Sequence, residues 1–382
     1  MSGRILAINT GSTSTKLGYF DSGNKVFEEN IFHSTERLSR YNSVMEQGHL
    51  RLVTITEFLL SKGIRLVDID LVMARSGLVT PMETGVYEIT EVLEDALRAC
   101  RNGVHACNLS GLLACDIAVL VNDARKEAGI PEVCRAYMAD PPMADEMLPE
   151  AKVGGIPEFT RRPLSHALNS RAVVRHYAGS KGLKQKDVTA IVAHIGGGTS
   201  VTLHRGGRII DTNDALGGDG PLSTERAGTV PAFPLVEMCF SGKYTKDEIK
   251  KKLVGHGGAV SYFGTNDFRS VVAMADAGDS HARLFLEGFC LSVAKYIASL
   301  AADVCGQVDV IILTGGIAHN APLMKKISRR VSFIAPVEVY PGGNEMDSLA
   351  ENGYAVLSGE AEIKYYDPHA QEKRSLSGSD WL

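Results

Sequence analysis

Ile5-Leu6-Ala7-Ile8-Asn9-Thr10-Gly11-Ser12-Thr13-Ser14-Thr15-Lys16-Leu17 runs from an apolar strand through a Gly/Ser/Thr turn into a second strand. Half the chain further on, Ile191-Val192-Ala193-His194-Ile195-Gly196-Gly197-Gly198-Thr199-Ser200-Val201-Thr202-Leu203 is built the same way. In each turn glycine lets the backbone come close to an anion, so that N–H groups point inward while the hydroxyls add donors. One such turn is weak support, because most Gly-rich hairpins merely reverse the chain. Two of them, each opening its own half, imply two related lobes that grip one polyphosphate from opposite sides. That predicts a nucleotide in the cleft between the lobes.

Composition fits this picture. The chain has 382 residues, 44% of them hydrophobic and 22% charged, enough to bury a large core in two domains. A formal net charge of −5 gives no electrostatic reason to expect nucleic acid or an anionic membrane as partner. Seven cysteines are scattered through apolar segments with no C-x-x-C pair, so reduced structural thiols are expected. Met1-Ser2-Gly3-Arg4 enters the first strand at once, leaving no room for a secretory segment, and no apolar run approaches a membrane span. A cytoplasmic protein is expected.

Strands at about 4–9, 15–20 and 25–32 read as an antiparallel meander. A strand at 71–75, a helix from Asn108 to about Ala128 and a strand over 132–140 follow. The second half repeats the theme with a meander at 188–194, 200–204 and 208–212. After it come a capping box at Thr245-Lys246-Asp247-Glu248 and a long amphipathic helix from Ser280 to about Cys305. A strand at 308–313, a helix from Asn320, a strand at 337–340 and a helix over 345–358 are expected next. The polar tail after Asp367, which carries Trp381, is the one disorder candidate.

Residues able to carry chemistry fall at predicted strand ends, where an open sheet presents its ligand crevice: Arg75, Asp140, His166, and Arg226 in the loop 217–228. A third Gly turn, Thr314-Gly315-Gly316-Ile317-Ala318-His319-Asn320, leads from an apolar strand to a helix N-terminus and suits an anion or a nucleoside. A fourth, Pro341-Gly342-Gly343-Asn344-Glu345, brings a carboxylate. Gly11 to Lys16 lacks the second glycine of a P-loop, which argues against that fold. Singly, each feature has a plainer explanation: a strand-end arginine usually makes an ion pair, and a lone histidine usually fills a helix. The eleven histidines show no zinc-ligand spacing. It is the conjunction of Gly turns, acids and arginines that loop chemistry alone does not explain.

These residues resemble the two-domain ATPases of the acetate and sugar kinase, heat-shock chaperone and actin superfamily, and within it the acetokinase family. Asn9-Thr10-Gly11-Ser12-Thr13-Ser14-Thr15-Lys16 is similar to the family's N-x-G-S-S-S-x-K, and Val104-His105-Ala106-Cys107-Asn108 to a segment of its butyrate kinase branch. Arg161-Arg162-Pro163-Leu164-Ser165-His166 resembles R-R-x-x-x-H, and His194-Ile195-Gly196-Gly197-Gly198-Thr199-Ser200 resembles H-x-G-x-G-[ST]-S. Asp267-Phe268-Arg269 is similar to an adenosine-site D-F-R, and Gly315-Gly316-Ile317 through Asn320 to G-G-I-x-x-N. The matches run in order along nearly the whole chain, closest to the butyrate kinase branch.

The resemblance implies an α/β, duplicated ribonuclease H-like (actin-like ATPase) fold that transfers a phosphoryl group reversibly from ATP to butyrate or a branched acid such as isobutyrate. Acetate or propionate is the alternative substrate, and a chaperone-like or actin-like ATPase the alternative class. Domain one would be 1–147 with a terminal helix at 349–366, and domain two 148–348. Two anions meet in such a transfer, and at about 4 Å unit charges repel by roughly 4 kcal/mol at an effective dielectric of 20, so cations must flank the path. The resemblance gives Arg75 to the carboxylate, Arg226 to carboxylate and phosphoryl, and His166 to the phosphoryl oxygens. It gives His105, Gly77 and Ser165 to the acyl site, and Asn9, Asp140 and Glu345 to Mg²⁺ or Mn²⁺. Gly11, Ser12, Ser14, Lys16, His194, Gly196, Gly197, Gly198 and Thr199 would hold ATP or ADP phosphates, and Asp267, Phe268, Arg269, Gly315, Gly316, Ile317 and Asn320 the nucleoside. Ser165 and the Ser76-Gly77 segment, where acetate kinases carry bulkier residues, are expected to enlarge the acyl pocket. A homodimer or higher homo-oligomer is implied.

Overall fold

A computed structural model of the chain describes residues 2–369, so Trp381 and the tail from 370 onward lie outside the described residues. The strands are β1 (Arg4–Thr10), β2 (Ser14–Asp21), β3 (Asn24–Phe32), β4 (Leu71–Arg75), β5 (Val86–Glu88), β6 (Arg135–Ala139), β7 (Ala190–Ile195), β8 (Thr199–Arg205), β9 (Arg208–Thr212), β10 (Val310–Gly315), β11 (Val337–Pro341) and β12 (Ile363–Lys364). They form one sheet in the order β12-β5-β6-β4-β1-β2-β3 and another in the order β11-β10-β7-β8-β9.

The two sheets repeat one plan. In the first, β1 pairs antiparallel with β2 and parallel with β4, and β4 pairs parallel with β6. In the second, β7 pairs antiparallel with β8 and parallel with β10, and β10 pairs parallel with β11. The duplication read from the two Gly turns is therefore a duplication of topology. Among the described residues the chain divides into one compact unit of 2–144 with 344–369 and another of Asp145–Gly343. Thus 344–348, placed with the second domain in the sequence reading, packs with the first unit. The helix Glu345–Leu357 is continuous, and Gly353 sets it so close to β1 and β4 that a Cβ there would lie 2.8 Å from Ile5 Cδ1 and 3.0 Å from Met73 Cγ.

The central strands are buried on both faces, which is why they read as unbroken apolar runs. Leu6 and Ile8 of β1 and Val72 and Ala74 of β4 join a core with Leu113, Ile117 and Val121 of the helix Cys107–Glu127. In the second unit Ile191, Ala193 and Ile195 of β7 meet Phe285, Phe289, Val293 and Ile297 of the helix Ser280–Ala301, while Ala190 and Val192 meet Val174 and Ala178 of the helix Ala167–Ser180. The helix at 107 and the segment Ser280–Val304 are long and apolar enough to cross a membrane by length and composition, contrary to the sequence reading, but their apolar faces are committed to these cores. Strand 132–140 is shorter than expected. Pairing begins at Arg135 and ends at Ala139, where Asp140 adopts φ 44° and turns the chain away.

Candidate active site

In the first unit, parallel β1, β4 and β6 bring their C-terminal ends to one edge, with Ile8 opposite Ala74 and Arg75 opposite Ala139. Three predicted residues converge there. Asn9 Nδ2 donates to Glu345 Oε2 at 2.6 Å, Arg75 Nη1 lies 3.6 Å from the same oxygen, and Arg75 Nη1 donates to Asn9 Oδ1 at 3.5 Å. Glu345 opens a helix, so its carboxylate also lies in the positive field of the helix N-terminus. Asp140, one residue past β6, is buried, with Oδ1 accepting from Gly85 N at 3.0 Å and its own N–H donating to Gly85 O at 2.9 Å. A left-handed aspartate held this way is a site of stored backbone strain, of the kind that collects where function requires one geometry.

His105 sits on the exposed loop before the helix at 107, and its Nδ1 accepts from Cys107 N at 3.2 Å, so that a neutral ring would carry its proton on Nε2. Burial pushes the Cys107 thiol up to about 11. Lys16 pairs with Glu28 Oε1 at 2.7 Å on the neighbouring strand rather than standing free beside the turn. At 76–77 the structure differs from the enlarged acyl pocket expected from the sequence. A Cβ on Gly77 would lie 2.6 Å from Leu97 Cδ2 and 2.9 Å from Asn108 Cα, so the space left by glycine is filled by protein. Ser76 is likewise buried, its hydroxyl 3.2 Å from Met138 Sδ.

In the second unit the turn after β7 gathers a denser group. The His166 and His194 rings stack at 3.8 Å with 5° between their planes. His166 Nδ1 is 2.8 Å from Ser200 Oγ, His194 Nδ1 is 2.8 Å from Asn169 Nδ2, and that amide also donates to Thr314 Oγ1 on β10 at 3.3 Å. Arg226 Nη1 donates to Ala215 O at 2.8 Å, and a Cβ on Gly198 would lie 1.7 Å from the same nitrogen. The guanidinium therefore rests directly on the Gly196–Gly198 turn, and burial lowers its pKa. Ser223 Oγ and Thr224 Oγ1 donate to Gly197 O at 2.8 and 3.2 Å, fixing the arginine's loop to the turn. Ser165, beside His166, is buried.

Asp267, Phe268 and Arg269 line a cavity of about 570 Å³ with Gly316, Ile317, His319 and Asn320, which brings the two sequence-predicted nucleoside segments together. Gly315 has φ 91°, and a Cβ there would lie 2.4 Å from Ile195 O, so only glycine lets this turn seat against β7. Asp267 accepts from Arg269 N and Nε at 3.1 and 2.9 Å, capping its helix.

Residues 158–361 match the model of the Acetokinase family. Butyrate kinase 1 of Clostridium acetobutylicum is 42% identical over 363 residues, covering 95% of this chain and 99% of that protein. The chain belongs to the acetokinase family. A "Probable butyrate kinase 2" of Caldanaerobacter subterraneus is also 42% identical over the same shares. An acetate kinase crystal structure from Porphyromonas gingivalis superposes with a TM-score of 0.72 over 93% of this chain and all of that one, at 18% identity. The fold is thus the duplicated actin-like ATPase fold, and the chain is a carboxylate kinase that works with ATP and ADP. Such extensive likeness displaces the chaperone-like alternative.

Sequence reading missed several residues of this acetokinase site. Asn169 and Ser223 orient predicted residues without resembling a motif themselves, whereas Ser200, which holds His166, closes the H-x-G-x-G-[ST]-S match. Arg51, beneath the first Gly turn, carried a signal. It shares a helical stripe with Ile55 and Leu59, and an arginine on an apolar stripe must find buried partners.

Proposed function

We propose that this acetokinase transfers the γ-phosphoryl group of ATP to butyrate or isobutyrate, reversibly, in line and without a covalent enzyme intermediate. The reading rests on one observation: Arg226 seated against the Gly196–Gly198 turn, which ties a fork of N–H donors to that glycine turn. A carboxylate oxygen attacks the γ-phosphorus, the bond to the β–γ bridging oxygen breaks, and ADP leaves with that electron pair. The nucleophile is already an anion, so no side chain has to take a proton. Arg226 meets the charge on the equatorial oxygens, and His166, held by Ser200, donates to one of them. Arg75 holds the acid's second oxygen. His105 offers Nε2–H to the same carboxylate, and Ser165 borders the alkyl chain.

Asn9, Asp140 and Glu345 would supply a small number of hard oxygen donors. That fits Mg²⁺ or Mn²⁺, which takes most of its ligands from water and phosphate. Bound there, the ion offsets phosphate charge. We also propose a cytoplasmic homo-oligomer, whose contact would cover the exposed Phe233 and Phe240 of the helix Ala232–Phe240.

An ATP-dependent hydroxamate assay across C2 to C6 acids tests the reading. At about 0.8 kcal/mol per buried CH₂, enclosing the two extra methylenes of butyrate favours it over acetate by roughly 15-fold in kcat/KM. Acetate ranked first would replace the butyrate assignment, and no trapped hydroxamate would remove the carboxylate reaction itself.

A further inference from the structure

Arg51, on the helix Gly48–Ser61, is fully buried, yet all of its hydrogen-bond partners are neutral. Nη2 donates to Ser12 O at 3.1 Å, and Nη1 donates to Ser14 O at 2.8 Å and Thr15 Oγ1 at 3.1 Å. Nε and Nη2 donate to Gln47 Oε1 at 3.2 and 2.8 Å. Burial pulls its pKa down to about 10, with no carboxylate raising it. A buried cation without a counter-charge is costly, and an arginine does not escape by losing its proton near neutral pH.

The turn above it faces outward in a specific way. Thr13 O accepts from His33 N at 2.9 Å and Ser14 O also accepts from Gly11 N at 2.8 Å, so the carbonyls of 12–14 are all engaged within the protein. The N–H groups of Ser12 and Thr13, both exposed residues, have no acceptor among the described residues. Carbonyls turned inward and amides turned outward make a cradle for an anion, with a positive charge directly beneath.

We propose that Arg51 is a positioning residue for the nucleotide: it sets the 11–14 turn with its amides outward, and the phosphates of ATP supply the counter-charge its burial lacks. The proposal rests on the reading that this turn holds phosphate. Gln47 makes it testable, since Gln47→Glu keeps the shape of the Arg51 contact while giving the guanidinium a carboxylate inside the protein.

The expected result for Gln47→Glu is a melting temperature at or above wild type, a KM for ATP raised about five-fold or more, and kcat and the acid's KM within about two-fold. Arg51→Lys, which keeps charge but not the fork, should raise the KM for ATP with the same sparing of the acid's KM. An arginine that merely holds the helix to the hairpin predicts unchanged ATP binding in Gln47→Glu. An ATP KM within two-fold of wild type in either folded variant overturns the proposal. So does failure of Gln47→Glu to fold, because the proposal requires the protein to tolerate an internal pair. Wild-type protein that binds no ATP would instead overturn the phosphate reading beneath it.

Discussion

At Gly198 the chain has no room for a methyl group, because a Cβ would lie 1.7 Å from Arg226 Nη1 and 2.2 Å from its Cζ. Gly198→Ala must therefore push the guanidinium off the turn while keeping its charge. Arginines acting on a transferring phosphoryl group are worth about 10³–10⁵ in rate, so Gly198→Ala should reach a substantial part of the loss of Arg226→Ala, at least ~100-fold in kcat. The KM for ATP should move much less, since the nucleoside cavity at 267–269 and 316–320 is untouched. Arg226→Lys should rescue little, for lack of the fork. Steady-state kinetics decide: near-normal kcat in either alanine variant removes Arg226 from the transfer step. Glu345→Gln belongs to the same scale. Its Oε2 meets both Asn9 and Arg75, so loss of the carboxylate should raise the Mg²⁺ concentration for half-maximal activity several-fold, read by metal titration. An unchanged titration would detach Glu345 from the metal.

Among the elements, the junction of β4 with the helix Cys107–Glu127 decides whether residue 77 tunes substrate or stability. Asn108 Oδ1 accepts from Leu78 N at 2.7 Å while its Nδ2 donates to Gly103 O at 3.1 Å, and Gly77 lets that side chain approach. Gly77→Ala meets the Asn108 backbone, which cannot rotate aside, and should cost about 1–3 kcal/mol by overpacking. Urea unfolding measures it. A wild-type-like midpoint with an altered acid ranking would restore residue 77 to the pocket. Elements whose ends carry side-chain signals were legible: the capping box at Thr245 is present, with Thr245 N donating to Glu248 Oε2 at 2.7 Å, and Asp279 caps the helix at 280 by accepting from His281 N and Ala282 N. The helix Gly48–Ser61 was not legible. It opens without a side-chain cap, and Val53-Thr54-Ile55-Thr56 is a β-branched run of poor helix propensity, so packing rather than local preference makes it helical. Motif residues were readable because their chemistry is carried in the turns. Asn169 and Ser223 were not, because each acts through a partner far away in sequence, and Arg51 showed only as a cation on an apolar stripe.

For the whole molecule, buried neutral histidines set the acid limit of stability. Burial, with the nearby Arg51 charge, holds His33 down at about 4, and burial holds His204 at about 3, against an ordinary value of 6.5. His33 Nε2 lies 2.9 Å from Thr15 Oγ1 under the first Gly turn, and His204 Nε2 lies 2.9 Å from Thr202 Oγ1 in the second unit, so each compact unit carries one. Between the folded and unfolded values the unfolded chain binds the proton and the folded chain does not, so stability is full above pH 6.5 and is lost as pH falls through this window. Asp303 works in the opposite direction. Burial and Asp211 raise it to about 6, so its contribution is present below the usual carboxylate range and is lost as pH rises toward 6. A tenfold change in proton affinity on folding is worth about 1.4 kcal/mol, so the two histidines should outweigh Asp303 by a few kcal/mol. Denaturant midpoints should accordingly fall steadily from pH 6.5 to 4. In His33→Gln, which keeps a donor near Thr15 but cannot titrate, that slope should be visibly shallower. An unchanged slope would mean that His33 is charged in the folded protein, and with it that Arg51 tolerates a second cation beneath the turn.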